Sequence, residues 1–173
     1  DFASGKSVPS IVACITSTRG ALKFFFGPRE ILVPCFRDMK ALPSALSARI
    51  RWMLSVQSGR RTFDSTVAFF EAFPKALGGH IFAENVPEKH ATELIRRYGA
   101  KYRIAGPSGV GILVPGHLKL GAIGGIDPLQ LAASKLATGG SLAVISTSGG
   151  MTNELIRAGA AAGHRTSFTC AIG

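Results

Sequence analysis

An apolar run, Ser141-Leu142-Ala143-Val144-Ile145-Ser146, leads into Thr147-Ser148-Gly149-Gly150 and then into a helical pattern from Met151 to Ala162. Strand, Ser/Gly turn and helix in that order bring free backbone N–H groups and the positive end of a helix to one point, the requirement for holding an anion such as phosphate. The same residues also suit a plain serine cap followed by a tight turn. No lysine follows the glycines, so the turn is not the G-x-x-x-x-G-K-[ST] phosphate loop. On the anion reading, a valine at position 149 blocks the site and leaves the fold intact, while Thr147→Arg strengthens it. Glycine accounts for 21 of the 173 residues and is concentrated after residue 98, where turns must be tight or a ligand must approach the backbone.

The elements that must position such a site alternate in type. Ser10–Ile15, Ile50–Val56, His80–Ala83 and Tyr102–Ala105 are β-branched or aromatic runs of strand length, which read as buried parallel strands. Asp64–Phe73, closed by Pro74, and Pro87–Tyr98, closed by Gly99, read as helices. The second has proline and acids at its start and arginines near its end, as the helix dipole favours. Strand and helix in alternation predict an α/β fold with a doubly wound parallel sheet. Ligands of such sheets sit beyond the carboxyl ends of the strands. Those ends are Thr16–Gly20, Gln57–Arg60, Glu84–Pro87 and Gly106–Gly109, all polar or rich in glycine. Residues 106–125 are dense in turns and too broken for a helix, and read as a connector.

Composition excludes several classes. With 46% hydrophobic and 17% charged residues the chain can fill a core, which rules out disorder as its main state. No window reaches the roughly 18 uninterrupted apolar residues of a membrane span, and the start has no signal-peptide pattern; the expectation is a cytoplasmic protein with no membrane partner. Residues 1–103 hold 16 of the 20 basic and 8 of the 10 acidic side chains. These bases are scattered singly or in pairs such as Arg60-Arg61 and Arg96-Arg97, and only one tryptophan is present, which points away from nucleic acid. Cys14, Cys35 and Cys170 are widely spaced and odd in number, as expected of reduced, buried thiols rather than a disulfide frame or a metal site.

Seven segments in order, Phe25–Pro34, Phe63–Thr66, Ala83–Glu88, Gly106-Pro107, Pro115–Gly121, Ala133–Leu136 and Ser146–Glu154, resemble the succinyl-CoA synthetase alpha-like part of ATP-citrate lyase. Each segment is weak alone; together they cover nearly the whole chain. The resemblance implies a Rossmann-like CoA-binding domain over residues 1–107, its first strand and phosphate loop missing, a connector over 108–138, and over 139–173 the start of a flavodoxin-like, phosphohistidine-binding domain. In that family ATP with Mg phosphorylates a histidine, the phosphoryl group passes to citrate or a similar carboxylate, and CoA displaces it. His80, His90, His117 and His164 do not occupy the phosphohistidine motif, so the resemblance also implies a longer chain or a beta-like ATP-grasp partner, and an oligomer.

By the same resemblance Ser58 and Arg60 match residues that contact CoA, Glu84 matches the carboxylate that holds the catalytic histidine, and Ser148, Gly149 and Gly150 match the loop holding the phosphohistidine phosphate. Thr147 stands in place of a base, Asn85 in place of a glycine and Ala122 in place of Asn or Asp. Two other readings share these residues: a succinyl-CoA synthetase-like ligase alpha subunit, and a non-catalytic CoA-binding module.

Overall fold

The computed structural model describes residues 12–15, 19–26, 29–125, 127–136 and 138–173. Among these described residues three sheets carry ten strands. In the first sheet β1 (Cys14–Ile15) pairs in parallel with β3 (Arg29–Phe36), which pairs antiparallel with β2 (Ala21–Phe26). The expected strand at Ser10–Ile15 is thus represented by its last two residues; Ser10 and Ile11 lie outside the described residues. The β2–β3 hairpin has no counterpart in the sequence reading. Gly27-Pro28 separates its strands in the sequence as a turn signal, but Pro34 falls inside β3 and Leu32 on it is exposed, so the half-buried alternation that marks a strand is blurred.

The second sheet holds β4 (Trp52–Ser55), β5 (Gly78–Ile81) and β6 (Arg103–Ala105), all parallel and in sequence order. Helix α2 (Gly59–Ala72) connects the first two and α3 (Glu88–Tyr98) the last two, the expected alternation. A short helix α1 (Ser44–Ser47) precedes β4. Helix α2 begins five residues earlier than its apolar pattern suggests: Ser58 occupies the capping position and its carbonyl accepts from the N–H groups of Arg61 and Thr62. Gly59 and Arg60 therefore lie in the first turn, where exposed polar residues cost little and leave no periodic trace. Leu42, Phe69, Phe70, Phe73 and Tyr102 form an aromatic core, with the Phe70 and Tyr102 rings stacked 4.1 Å apart. Ala13, Ile15 and Phe36 pack against this cluster, which seats the first sheet on the second.

The third sheet runs β8-β7-β10-β9. β9 (Leu142–Ser146) and β10 (Thr166–Ala171) are parallel across helix α5 (Gly149–Ala161). β7 (Gly111–Val114) is antiparallel both to β10 and to β8 (Leu118–Gly121). The stretch read as a connector is thereby corrected: it supplies a hairpin to this sheet, followed by a short helix α4 (Pro128–Ala133) capped by the Asp127 carboxylate. Its turn-forming residues are real, but they punctuate two four-residue strands too short to register as a period. Leu113, Ile123, Leu131, Leu136, Ile156 and Ala171 close the core of this unit.

Candidate functional site

The ends of the parallel strands converge on Gly106–Val110. Ser108 N–H donates to the Ala83 carbonyl at 2.9 Å, and Gly109 N–H reaches the Ile81 carbonyl. On the other side a Cβ on Gly109 would stand 2.6 Å from the Ala171 oxygen at the end of β10. One segment thus joins the carboxyl edge of the second sheet to that of the third. His80, fully buried in β5, fixes it: the Gly109 carbonyl can only accept, so the His80 Nε2–H donates to it, at 2.8 Å. Nδ1 is left without a partner among the described residues, and burial lowers the ring's affinity for a proton. His80 is a neutral structural link, one that sequence reasoning did not find. Its only trace is a lone histidine in a strand-length run.

Ser58, Arg60 and Glu84 lie on this edge and are exposed. What brings them together is Gly59. A Cβ there would sit 2.5 Å from the Asn85 oxygen and 2.6 Å from that of Glu84, so only glycine lets the turn after β4 touch the turn after β5. Asn85 takes a left-handed φ of 55°, a conformation asparagine tolerates better than most residues, which accommodates the departure from glycine noted in the sequence. The Ser58 hydroxyl makes no capping bond and is open to a ligand. Arg96 and Arg97, one of the two basic pairs, are both held by Glu93 on α3, at 2.7 and 2.5 Å, and their contacts push the Glu93 carboxyl down to about 2. Arg60 has no ion-pair partner among the described residues.

The turn before α5 is built as a serine cap: Ser148 Oγ accepts from Met151 N–H at 3.2 Å, and Ser148 N–H donates to Ser146 Oγ at 3.0 Å. The N–H groups of Gly149 and Gly150, in the first turn, have no protein acceptor among the described residues. Two free N–H groups remain at this turn, because two serine hydroxyls already serve those of Ser148 and Met151. The two glycines also differ. A Cβ on Gly149 would collide with the Val110 side chain, whereas one on Gly150 meets nothing within 4 Å. A valine at 149 therefore disturbs the packing itself, contrary to the sequence reading, whereas the Cβ side of Gly150 faces open space. Gly150 lines a cavity of about 540 Å³ shared with Gly124, Gly125, Gln130, Asn153 and Arg157. The Asn153 carboxamide accepts from Gly124 N–H at 2.8 Å and ties α5 to the end of the hairpin.

Lys119 on β8 is half-buried and donates to the Gly121 carbonyl at 2.7 Å. Burial lowers it to about 8, against ~10.4 for an unfolded chain. Below the folded value both states are charged and the native state bears the whole desolvation cost. Between the two values the unfolded state holds more protons, so stability rises with pH. Lys119→Met is expected to be more stable than the parent near pH 7 and to lose the rise between pH 8 and 10, checked by urea unfolding at each pH.

The fold is one found in acyl-CoA-forming enzymes. The acetyl-coenzyme A synthetase 1 of Ca. Korarchaeum cryptofilum shares the fold at a TM-score of 0.59 and 16% identity, over 82% of this chain and 29% of that one. An ATP citrate lyase from Methanothrix soehngenii, solved with citrate and coenzyme A, matches 100% of this chain and 28% of its own at a TM-score of 0.88 and 28% identity. ATP-citrate synthase subunit 1 of Sordaria macrospora is 35% identical over 161 residues, 90% of this chain and 23% of that protein. The chain is an ATP-citrate lyase-like segment. It spans a quarter or less of the length of the curated relatives it matches. No protein-family model matches it.

Proposed function

We propose that this chain is the CoA- and phosphohistidine-binding part of an ATP-dependent citrate lyase, which as a complete enzyme converts citrate, ATP and CoA to acetyl-CoA, oxaloacetate, ADP and phosphate. The observation that carries the reading is the meeting of two strand-end sites on one segment: Ser58, Arg60 and Glu84 on one side of Gly106–Val110, the α5 start on the other. Arg60 offers a phosphate of CoA a free guanidinium, with the Ser58 hydroxyl beside it. The paired N–H groups of Gly149 and Gly150 receive the phosphoryl group of a phosphohistidine, and Glu84 accepts from its imidazole, fixing the nitrogen that carries the phosphoryl group. The likeness of the whole chain to a citrate lyase solved with coenzyme A supports this reading.

The reading divides the molecule into a CoA-binding unit ending near residue 107 and a phosphohistidine-binding unit that includes the hairpin. It also calls for a beta-like ATP-grasp subunit or domain, an oligomer and a cytoplasmic setting. Among the described residues no three His, Cys, Asp or Glu side chains stand together as a metal site.

Calorimetric titration with CoA tests the site. Arg60→Ala is expected to weaken CoA about tenfold, the effect of one exposed charge-assisted contact of about 1.4 kcal/mol, and dephospho-CoA is expected to bind the parent more weakly than CoA. Equal binding of both ligands, unchanged by Arg60→Ala, would remove the site. Thr147 in place of a base leaves the α5 turn less positive and favours one other reading, a non-catalytic CoA-binding module. CoA binding without ATP- and citrate-dependent acetyl-CoA formation by the complete enzyme would select it.

A further inference from the structure

Cys14 in β1 and Cys35 in β3 stand directly opposite one another in a parallel ladder. Residues so opposed point to the same face of the sheet, and their chain neighbours Ala13, Ile15 and Phe36 pack against the aromatic core. The two thiols therefore share the other face. Both are half-buried rather than enclosed, so a small solute can reach them. Neighbouring strands lie ~4.8 Å apart, inside the roughly 4.4–6.8 Å of Cα separation that a disulfide spans, and toward its short end. Cys170 provides the contrast: it is buried in β10 between Ile112 and Ile145 and has no cysteine opposite.

We propose that Cys14 and Cys35 form a reversible redox site, a dithiol that a hydroperoxide converts to a disulfide joining β1 to β3. In the first step a thiolate attacks one peroxide oxygen, the O–O bond breaks, the sulfur becomes a sulfenic acid, and water or an alcohol leaves with a proton. In the second the other thiol attacks that sulfur, the S–O bond breaks, the S–S bond forms and water leaves. Two electrons pass from the sulfurs to the peroxide. Burial, and next the Cys35 thiol beside it, push the Cys14 thiol up. Cys14 is therefore the poorer first nucleophile and acts as the resolving thiol, while Cys35 makes the first attack. A bond between directly opposed strands sits away from the preferred geometry, which places it among disulfides that thiol reductants reopen. Closing it ties the β2–β3 hairpin to the strand that packs on the aromatic core.

The full chain is treated with hydrogen peroxide, remaining thiols are alkylated under denaturing conditions, and the protein is digested without reductant for mass spectrometry. The expected product is a peptide pair joined through Cys14 and Cys35, lighter by two hydrogens and released by dithiothreitol, with Cys170 alkylated. In Cys14→Ser the oxidised Cys35 has no resolving partner, and dimedone is expected to trap its sulfenic acid; Cys35→Ser is expected to leave Cys14 largely alkylated. Full alkylation of both cysteines in the parent after oxidation, separate sulfinic acids at each, or linkage only between chains would overturn the proposal.

Discussion

Gly59→Val is expected to lower stability by about 3 kcal/mol and to eliminate measurable CoA binding, the largest combined effect of any single substitution at the proposed site. The new Cβ would stand 2.5 Å from the Asn85 oxygen and 2.6 Å from the Glu84 oxygen. Both are main-chain atoms of a turn that closes directly into α3, so neither can rotate away as a side chain could. Relief requires the turn after β4 to part from the turn after β5, and overpacking of this kind costs roughly 1–3 kcal/mol. Parting them also separates Ser58 and Arg60 from Glu84. Thermal unfolding and CoA titration on the same preparation check both halves. A valine variant with the parent's melting temperature and CoA affinity would show that the two turns do not meet.

The second large effect is at Gly149, where valine is expected to cost about 2 kcal/mol and to abolish phosphate binding at the start of α5. The clash is with Val110, which packs against the cluster containing Leu113, Ile123 and Ile156, so the strain enters the core of the third sheet. Because the colliding group is a side chain, it can be removed. Val110→Ala combined with Gly149→Ala is expected to be more stable than the sum of the two single changes predicts, a coupling of about 1 kcal/mol within the range for residues in contact. Gly150→Ala faces open space and is expected to leave stability within about 0.5 kcal/mol of the parent, as a surface change does. Denaturant unfolding of the five variants, with phosphate-induced amide shifts followed by NMR, separates packing from binding. Strict additivity between positions 110 and 149 would contradict the contact.

Much of the molecule is legible before any coordinates. The parallel strands at 52–55, 78–81 and 103–105 and the helices α2, α3 and α5 lie within a few residues of where the apolar runs and end signals place them. Helix α3 announces itself through Pro87, Glu88 and the terminal arginines, because those residues act within a single turn. Ser148 as a helix cap is readable for the same reason. The ordered motifs shared with citrate lyase carry the family resemblance, which the chain-wide structural match bears out.

Other features depend on contacts between residues far apart in the chain. Whether Gly149 serves a ligand or a neighbour is decided by Val110, 39 positions earlier, and no local pattern records that approach. Gly59 reads as an ordinary turn glycine until the Glu84-Asn85 backbone is seen against it. His80 becomes a link between two sheets through the Gly109 carbonyl, and Cys14 and Cys35, separated by a hairpin, become a pair through strand register alone. The stretch 106–125 shows the division most clearly. Its glycines and prolines dictate turns locally, but the two short strands between those turns exist because β10 offers β7 an edge to pair with. Periodicity, caps and turn chemistry act over one to four residues and are written in the order of the amino acids; register, close approach and burial are set by which surfaces meet, and only the folded chain decides them.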